Sequence, residues 1–508
     1  MVRQFIFITA LFSVVSATAQ VPITEKLYSA FLEDSINYQV TLPENWDADT
    51  HLPVLYALKY GMIDGPYIAS QLRYFKTARY AIPNMIVVTI MADMDRIGFI
   101  YRTGQLTETG RRFLRCLKEE IITTVTRKYH TSGFNAYIGH SYAASYANYL
   151  VQHEPGIFNG YILLAPEMAG LDFTKSLEGQ SPVPTFTLDE HSIRYYSRAH
   201  TFYYVAVGEQ DMARRHLYAR NILDQLKGLD SLHFFSKYDS IPRGNHTNML
   251  TLAIQPGLEF ISQFFNPGMD VDPERNAWEA FKGVASRVKD IYGMEVERNH
   301  SWYGKFAQLA VSRKDTASLL KILNYFDTGK LKGYDTRSFG TYCAQIGLVE
   351  RAEQYYRSTI GNILSKTEME GWEYFVLSEC YWRIASEIAQ DNHARAWENL
   401  QQAVQFAEVP NSQGGRNMDI YFLAGRYLID KGYNVKEGIG YLIRYMEMRK
   451  YTIDEIHWSH EKIYACLGKG YYLLKDMANA RLYLRKALAL NETNTVANEY
   501  LKLVDGLD

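Results

Sequence analysis

The residues with the clearest chemical potential lie in one stretch, Asn135-Ala136-Tyr137-Ile138-Gly139-His140-Ser141-Tyr142-Ala143-Ala144. An apolar run followed by small residues around a serine is typical of a buried strand that turns sharply into a helix and exposes the serine hydroxyl. The pattern approximates G-x-S-x-G, with Ala143 in place of the last glycine. An ordinary Gly-Ser turn has the same pattern. A nucleophilic role for Ser141 therefore depends on a base, an acid and an oxyanion hole elsewhere in the chain.

The predicted base is His246. In hydrolases built on such a turn, the order along the chain is serine, acid, histidine. His246 lies in a polar loop, Pro242-Arg243-Gly244-Asn245-His246-Thr247, between the last predicted strand and a closing helix. The alternative is an ordinary solvent-exposed loop histidine. His140, beside the serine, is predicted to pack rather than to act as a base.

The acid has two candidates, which follow the penultimate predicted strand in Gly208-Glu209-Gln210-Asp211. A carboxylate at this position could orient the imidazole and stabilise its cation. We favour Asp211 and retain Glu209 as the alternative acid. The alternative role for Asp211 is a surface ion pair with Arg214 or Arg215.

An oxyanion hole requires two backbone N–H groups directed at the developing charge. Tyr142, the residue after the serine, is predicted to supply one of them. The loop of Tyr60, Gly61 and Met62, which follows an early apolar run, is predicted to supply the second.

The elements that position these residues alternate between strands and helices. Predicted strands cover residues 38–43, 52–58, 85–90, 135–139, 160–166, 201–207 and 232–235, and predicted helices cover 111–129, 142–153 and a segment that ends near Leu226. This alternation predicts an α/β fold with a mainly parallel sheet in residues 20–268. Catalytic groups of such sheets lie at the carboxyl ends of strands, where the candidate residues fall.

The character of the chain changes beyond Asn266-Pro267-Gly268, because strand-like runs disappear and helical periodicity continues to the end. One segment matches the spacing of a tetratricopeptide repeat, with Tyr464, Leu467, Gly468, Tyr471, Ala480, Leu484 and Ala487 at the signature positions. Weaker copies involve Gly340, Ala352 and Tyr356, and Ala396, Leu400 and Ala403. Residues 275–508 are therefore predicted to form an all-α, tetratricopeptide-like domain that could bind a protein partner.

Composition restricts the cellular setting and the class of partner. The chain of 508 residues has a formal net charge of −2, which argues against nucleic acid as the main partner. Arg3, an apolar core over residues 5–15 and Ala17-Thr18-Ala19 predict a signal peptide over residues 1–19. We therefore expect a periplasmic or secreted protein without a membrane-spanning segment.

No cofactor or metal is expected. The four cysteines are far apart and lack metal-ligand spacing, and no nucleotide-binding glycine motif is present. His457-x-x-His460 has one-face helical spacing, but no further ligand accompanies it, so a surface pair is predicted.

Several of these stretches together resemble the putative esterase family, which includes esterase D, ferric-enterobactin esterases and feruloyl esterases. The resemblance is carried by residues 52–56 and 85–90, by Ile138-Gly139-His140-Ser141 and by Phe158-Asn159-Gly160-Tyr161, and it covers about residues 28–266. It implies a serine hydrolase of carboxylic esters, with Ser141 and His246 as the nucleophile and base. The chain departs from the family pattern at Ala143-Ala144 and at Leu58-Lys59-Tyr60-Gly61.

Three functional hypotheses follow. The first is an extracytoplasmic serine esterase acting on a small-molecule or glycan-linked ester, such as a siderophore lactone, a feruloyl or acetyl glycan or a simple acyl ester. The second is a catalytically impaired hydrolase-like protein that acts as a binding scaffold through its helical repeats. The third is acyl transfer to an acceptor other than water, which would use the same residues.

Overall fold

The computed structural model describes residues 22–44, 46–59, 63–79, 82–100, 103–166, 186–229, 232–265, 275–327, 333–409, 417–449 and 460–506. The predicted signal peptide and Tyr60, Gly61 and Met62 lie outside these residues, as does His457. The chain divides into two compact units. The first contains residues up to Asp272 together with Ala280–Glu297, and the second contains Pro273–Glu279 and Arg298–Asp508.

The first unit is built on a sheet that has eight strands within the described residues. Its strands are β1 (Ile23–Ser29), β2 (Asp34–Thr41), β3 (Val54–Leu58), β4 (Ile86–Met91), β7 (Asn135–His140), β8 (Gly160–Leu164), β9 (Thr201–Gly208) and β10 (Phe234–Ile241). Their spatial order is β1-β2-β4-β3-β7-β8-β9-β10. The strands from β4 to β10 in this order pair in parallel, whereas β1 and β2 pair antiparallel. The α/β fold with a mainly parallel sheet is confirmed.

The parallel strands carry the apolar runs that predicted them. All five residues of β3 and all five of β8 are buried, as are all eight of β9. Such continuous burial requires cover on both faces of the sheet, which helices provide in α/β folds. The last strand, β10, extends further than the predicted segment 232–235.

The helices of the first unit follow the strands. They are α1 (Gly65–Arg79), α2 (Met94–Ile97), α3 (Glu108–Arg115), α4 (Ile122–Tyr129), α5 (Tyr142–His153), α6 (Glu190–Tyr196), α7 (Ala213–Leu226) and α8 (Met249–Ile261). The predicted helix at 111–129 is longer. It begins at Glu108 because Thr107 accepts a hydrogen bond from the N–H of Gly110, and it contains a π-helical turn at Cys116–Ile121.

A small hairpin of β5 (Phe99–Ile100) and β6 (Gln105–Leu106) follows α2 and was not predicted. Each of its strands has only two residues, which is too short for a periodic pattern to identify.

The helix α9 (Ala277–Tyr292) shows where the predicted boundary at residue 275 departs from the packing. From Ala280 onward its residues group with the sheet unit. The Tyr292 hydroxyl donates a hydrogen bond to the Ile261 carbonyl at 3.0 Å, and its ring lies 4.9 Å from that of Phe134. Helical periodicity cannot reveal which unit a helix packs against, because both offer apolar surfaces.

From Ala277 onward the described residues are largely helical, with about 12 helices. After α9 these are α10 (His300–Ser312), α11 (Thr316–Phe326), α12 (Gly333–Gln345), α13 (Val349–Leu364), α14 (Gly371–Arg383), α15 (His393–Ala407), α16 (Asp419–Lys431), α17 (Val435–Arg449), α18 (His460–Leu473), α19 (Met477–Leu490) and α20 (Thr495–Asp505). Within the second unit, buried Leu, Ile, Ala and Tyr side chains lie between helices that pack in successive pairs: α10 with α11, α12 with α13, α14 with α15, α16 with α17, and α18 with α19. None of the helices in the described ranges is long and apolar enough to cross a membrane.

Candidate active site

Ser141 lies at a strained turn between β7 and α5, at the carboxyl edge of the sheet. Its backbone has φ 56° and ψ −117°, a combination that non-glycine residues rarely adopt. Its N–H donates a hydrogen bond to the Leu164 carbonyl at 2.8 Å, and its carbonyl accepts one from the Ser145 N–H at 3.0 Å. The turn is therefore tied both to the neighbouring strand and to the helix that follows, which is the geometry of a nucleophile elbow.

Small residues around Ser141 are required by close backbone approach. A Cβ atom at Gly139 would lie 2.8 Å from the carbonyl carbon and oxygen of Ala143, so that position requires glycine. Ala143 is fully buried, and its carbonyl accepts a hydrogen bond from the Tyr137 hydroxyl at 3.0 Å. The elbow thus accommodates alanine at the last position of the motif, where glycine is more usual.

The loops after β9 and β10 bring Asp211 and His246 together. Asp211 Oδ2 lies 2.9 Å from His246 Nδ1, and the aspartate side chain is only 2 % exposed, against 35 % for the histidine. A Cβ atom at Gly208 would lie 2.5 Å from the Gly244 carbonyl oxygen, and that oxygen accepts the N–H of Gln210 at 2.8 Å. The two loops therefore touch through their backbones, which places the carboxylate against the imidazole.

Glu209, the alternative acid, makes a different contact. Its Oε2 accepts a hydrogen bond from the backbone N–H of Arg243 at 2.9 Å. Arg243 has a positive φ of 58°, so this hydrogen bond stabilises a tight turn in the loop that carries His246. In the structure Asp211, rather than Glu209, is the carboxylate beside His246 Nδ1.

Arg215, predicted from the sequence only as a possible surface partner of Asp211, lies inside the site. Its Nη1 lies 2.6 Å from Asp211 Oδ1, but the pair is buried, with exposed fractions of 4 % for Arg215 and 2 % for Asp211. The same Nη1 lies 2.8 Å from His246 Nδ1. The i, i+4 spacing of the pair was visible in the sequence, whereas its burial was not. Burial lowers the pKa of Arg215 from its ordinary value.

His140 lies against the loop that carries His246. Its Nε2–H donates a hydrogen bond to the His246 carbonyl at 2.8 Å, and the centroids of the two imidazole rings lie 4.6 Å apart. His140 is 6 % exposed, and burial lowers its pKa to about 4. His140 is therefore neutral near pH 7, and the residue just before Ser141 is joined directly to the backbone of His246.

A cavity of about 700 Å³ opens beside Ser141. Its wall combines apolar side chains of Met94 and Phe99 with the charged side chains of Asp95 and Arg214. A cavity of this size fits a small-molecule substrate. The unpredicted hairpin of β5 and β6 thus contributes directly to the site, because Phe99 belongs to β5.

Tyr142 contributes to this site through both its side chain and its backbone. Its hydroxyl accepts a hydrogen bond from the Phe99 N–H at 3.0 Å and donates one to the Phe99 carbonyl at 2.8 Å, which holds the cavity wall. Its own N–H belongs to the first residue of α5, where backbone N–H groups point out of the helix and the helix dipole favours negative charge. The other predicted oxyanion residues, Tyr60, Gly61 and Met62, lie outside the described residues.

Among the residues that the structure describes, no group of three or more His, Cys, Asp or Glu side chains could hold a metal ion. The third member of the Asp211–His246 pair is a guanidinium, which is not a metal ligand.

The chain was compared with family profiles, with curated protein sequences and with solved structures. The family profile described as "Putative esterase" matches residues 29–254, the region that contains all the residues of the site. No curated protein sequence matches the chain closely enough to count as a relative.

Solved structures of similar fold include an uncharacterised protein from Capnocytophaga ochracea. Its TM-score is 0.51 at 15% identity, over 67% of this chain and 93% of that chain. An IroE-like serine hydrolase from Shewanella oneidensis has a TM-score of 0.44 at 17% identity, over 60% of this chain and 99% of its own. The siderophore hydrolase EstB from Aspergillus nidulans has a TM-score of 0.36 at 16% identity, over 49% of this chain and 96% of its own. At these identities the likeness extends to the fold alone.

Proposed function

Because residues 29–254 match the profile of the putative esterase family, we propose that the protein is a serine esterase that uses Ser141, His246 and Asp211. The observation that carries this proposal is the buried Asp211–His246 hydrogen bond, held against the residue that precedes the strained Ser141. A carboxylate on Nδ1 leaves Nε2 of the imidazole to receive a proton. The family match supports carboxylic ester hydrolase activity in the same region of the chain.

In the proposed reaction Ser141 Oγ forms a bond to the ester carbonyl carbon while His246 Nε2 takes the hydroxyl proton. Asp211 stabilises the imidazolium through Nδ1–H. The bond between the carbonyl carbon and the alcohol oxygen then breaks, and the imidazolium returns its proton to that oxygen. Water attacks the acyl-enzyme in the same way, which releases the acid and restores the serine.

The negative charge on the carbonyl oxygen requires donors that are already in place. The N–H of Tyr142 at the start of α5 is our first donor, and the loop of Tyr60, Gly61 and Met62 is our candidate for the second. Removing one such donor typically costs about 10²–10³-fold in kcat.

We infer from the predicted signal peptide that the enzyme acts in the periplasm or outside the cell, on a small-molecule or glycan-linked ester. The cavity beside Ser141, of about 700 Å³, is large enough for a small molecule or for the ester-bearing end of a glycan. Acyl transfer in place of hydrolysis would appear as ester products when alcohols or sugars are supplied as acceptors.

We further infer that the helices of the second unit form tetratricopeptide-like pairs, which would offer a surface to a protein partner. The support is a recurring contact in which a glycine of one helix meets the next helix. A Cβ at Gly340 would lie 2.5 Å from the Tyr356 ring, one at Gly425 2.7 Å from the Gly438 carbonyl oxygen, and one at Gly468 2.5 Å from the Leu484 side chain.

Labelling by a fluorophosphonate probe, together with hydrolysis of p-nitrophenyl acetate, tests the esterase proposal. The wild-type protein is expected to be labelled on Ser141 and to hydrolyse the ester, whereas Ser141→Ala should lose both properties. Ser240→Ala, which alters an exposed serine at the end of β10, is the matched control and should keep both. Wild-type protein that is neither labelled nor active would refute the proposal and favour the scaffold hypothesis.

A further inference from the structure

A buried cation contacts both the acid and the base of the proposed triad. Arg215 Nη1 lies 2.6 Å from Asp211 Oδ1 and 2.8 Å from His246 Nδ1. The Arg215 side chain is 4 % exposed, so water screens its charge very little. The proposed mechanism does not use this residue, although it is held within hydrogen-bond distance of two residues that the mechanism requires.

The Nδ1 atom of His246 cannot hydrogen-bond to both neighbours. In the tautomer that carries its proton on Nδ1, the Nδ1–H donates to Asp211 Oδ2. In the tautomer that carries its proton on Nε2, the Nδ1 lone pair accepts a hydrogen bond from Arg215. Only the first state leaves Nε2 without a proton and able to act as a base. Because Asp211 Oδ1 already accepts the shorter contact from Arg215, the guanidinium holds the carboxylate with its other oxygen toward Nδ1.

The charged and titratable groups against His246 come from three elements. Asp211 follows β9, Arg215 lies on α7 and His140 ends β7. Burial lowers the pKa of His140 to about 4, so it adds no charge near neutral pH. Protonation of His246 would therefore place an imidazolium between one carboxylate and one guanidinium, and the guanidinium opposes it.

On the basis of the proposed esterase function, we propose that Arg215 is a positioning residue of the catalytic centre. Its buried charge fixes Asp211, and as a like charge beside Nδ1 it opposes the addition of a second proton to the His246 imidazole. A hydrogen-bonding residue without charge would hold the carboxylate but would not have the second effect.

Histidine NMR measures this effect without the need for turnover. The probe is full-length protein with ¹⁵N-labelled histidine, titrated from pH 8 to pH 4.5, with the His246 signals assigned by their absence in His246→Gln. In Arg215→Gln we expect the midpoint of His246 protonation to rise by about one pH unit, because a neighbouring like charge is removed. Arg215→Lys keeps the charge and should return the midpoint to near the wild-type value.

The matched control is Arg220→Met, which removes the same charge from the exposed side of the same helix. The Arg220 guanidinium lies over the Tyr238 ring, 5.6 Å from its centroid, and its loss should leave the His246 midpoint unchanged. Arg215→Met provides the same measurement if Arg215→Gln does not fold. A midpoint that is unchanged or lower in the uncharged variant would overturn the proposal. So would a neutral wild-type imidazole with its proton on Nε2, since Nδ1 would then accept from Arg215.

The pH profile of kcat/KM gives a second readout that a purely structural residue would not change. In Arg215→Gln the fall of kcat/KM on the acidic side of the profile should move to higher pH by the same amount as the NMR midpoint. This shift is expected whether or not the maximal kcat/KM also changes. Failure of the esterase proposal remains distinguishable. Protein that resists the fluorophosphonate, yet shows the rise in the His246 midpoint, would refute the esterase and keep the electrostatic role of Arg215.

Discussion

Protonation of His140 should destabilise the protein in mild acid, because this histidine is buried in its neutral form. Burial lowers its pKa from an ordinary 6.5 to about 4. In the unfolded chain the same imidazole binds a proton as the pH falls through its ordinary value. Between these two values the unfolded state binds more protons, so stability is complete above about pH 6.5 and falls as the pH drops toward about 4.

The magnitude follows from the difference between the two pKa values. At about 1.36 kcal/mol per pKa unit, the interval from 6.5 to about 4 corresponds to a loss of about 3 kcal/mol. A loss of this size is a substantial part of the stability of a typical domain, which is about 5–15 kcal/mol. When His140 is protonated and the protein unfolds, the loop that carries His246 should also lose its structure, because the His140 Nε2–H donates to the His246 carbonyl at 2.8 Å.

The assay is urea unfolding of the full-length protein at several pH values from 7.5 to 4.5, followed by circular dichroism. His140→Gln is the informative variant, since the amide can donate to the same carbonyl but does not titrate in this range. It should lose about 3 kcal/mol less than the wild-type protein over the interval, and His51→Gln, at an exposed position, should behave as wild type. Equal losses in wild-type protein and His140→Gln would refute the reasoning.

Three further outcomes are expected. Asp211→Asn should lower kcat by about 10³–10⁴-fold, because the amide no longer selects the Nδ1–H tautomer, whereas Glu209→Gln should lower it only a few-fold in the same ester assay. Tyr142→Phe should destabilise the protein by about 1–3 kcal/mol and raise KM, since the backbone N–H and carbonyl of Phe99 lose their hydroxyl partner. Gly468→Val should cost about 1–3 kcal/mol in urea unfolding through overpacking against the next helix, and an unchanged midpoint would contradict the tight pair.

Local pattern was sufficient for the framework of the site. The buried runs at β3 and β8 and the small residues around Ser141 describe short-range requirements, namely burial on both faces and close backbone contact. Such requirements act on adjacent residues, so the sequence alone predicted an α/β fold and the position of the elbow. The order of serine, acid and histidine then predicted the strand ends from which the site would be assembled.

The tertiary structure was needed to find which of the two carboxylates, Asp211 or Glu209, lies beside His246. Both carboxylates follow β9, and only the packing of the next loop determines which of them meets His246 and which binds the turn at Arg243. No property of the two residues alone distinguishes these outcomes.

The sequence by itself determined the candidate residues at the strand ends and the change from alternating strands and helices to helices alone in the second part of the chain. Burial and long-range contact decided the rest: the guanidinium of Arg215 within the site, the hairpin that supplies Phe99, and the packing of Tyr292 within the sheet unit. The physical reason is that a periodic pattern reports how a segment meets its immediate surroundings. The energy of a buried charge, in contrast, depends on groups that are distant in the chain and adjacent only after folding.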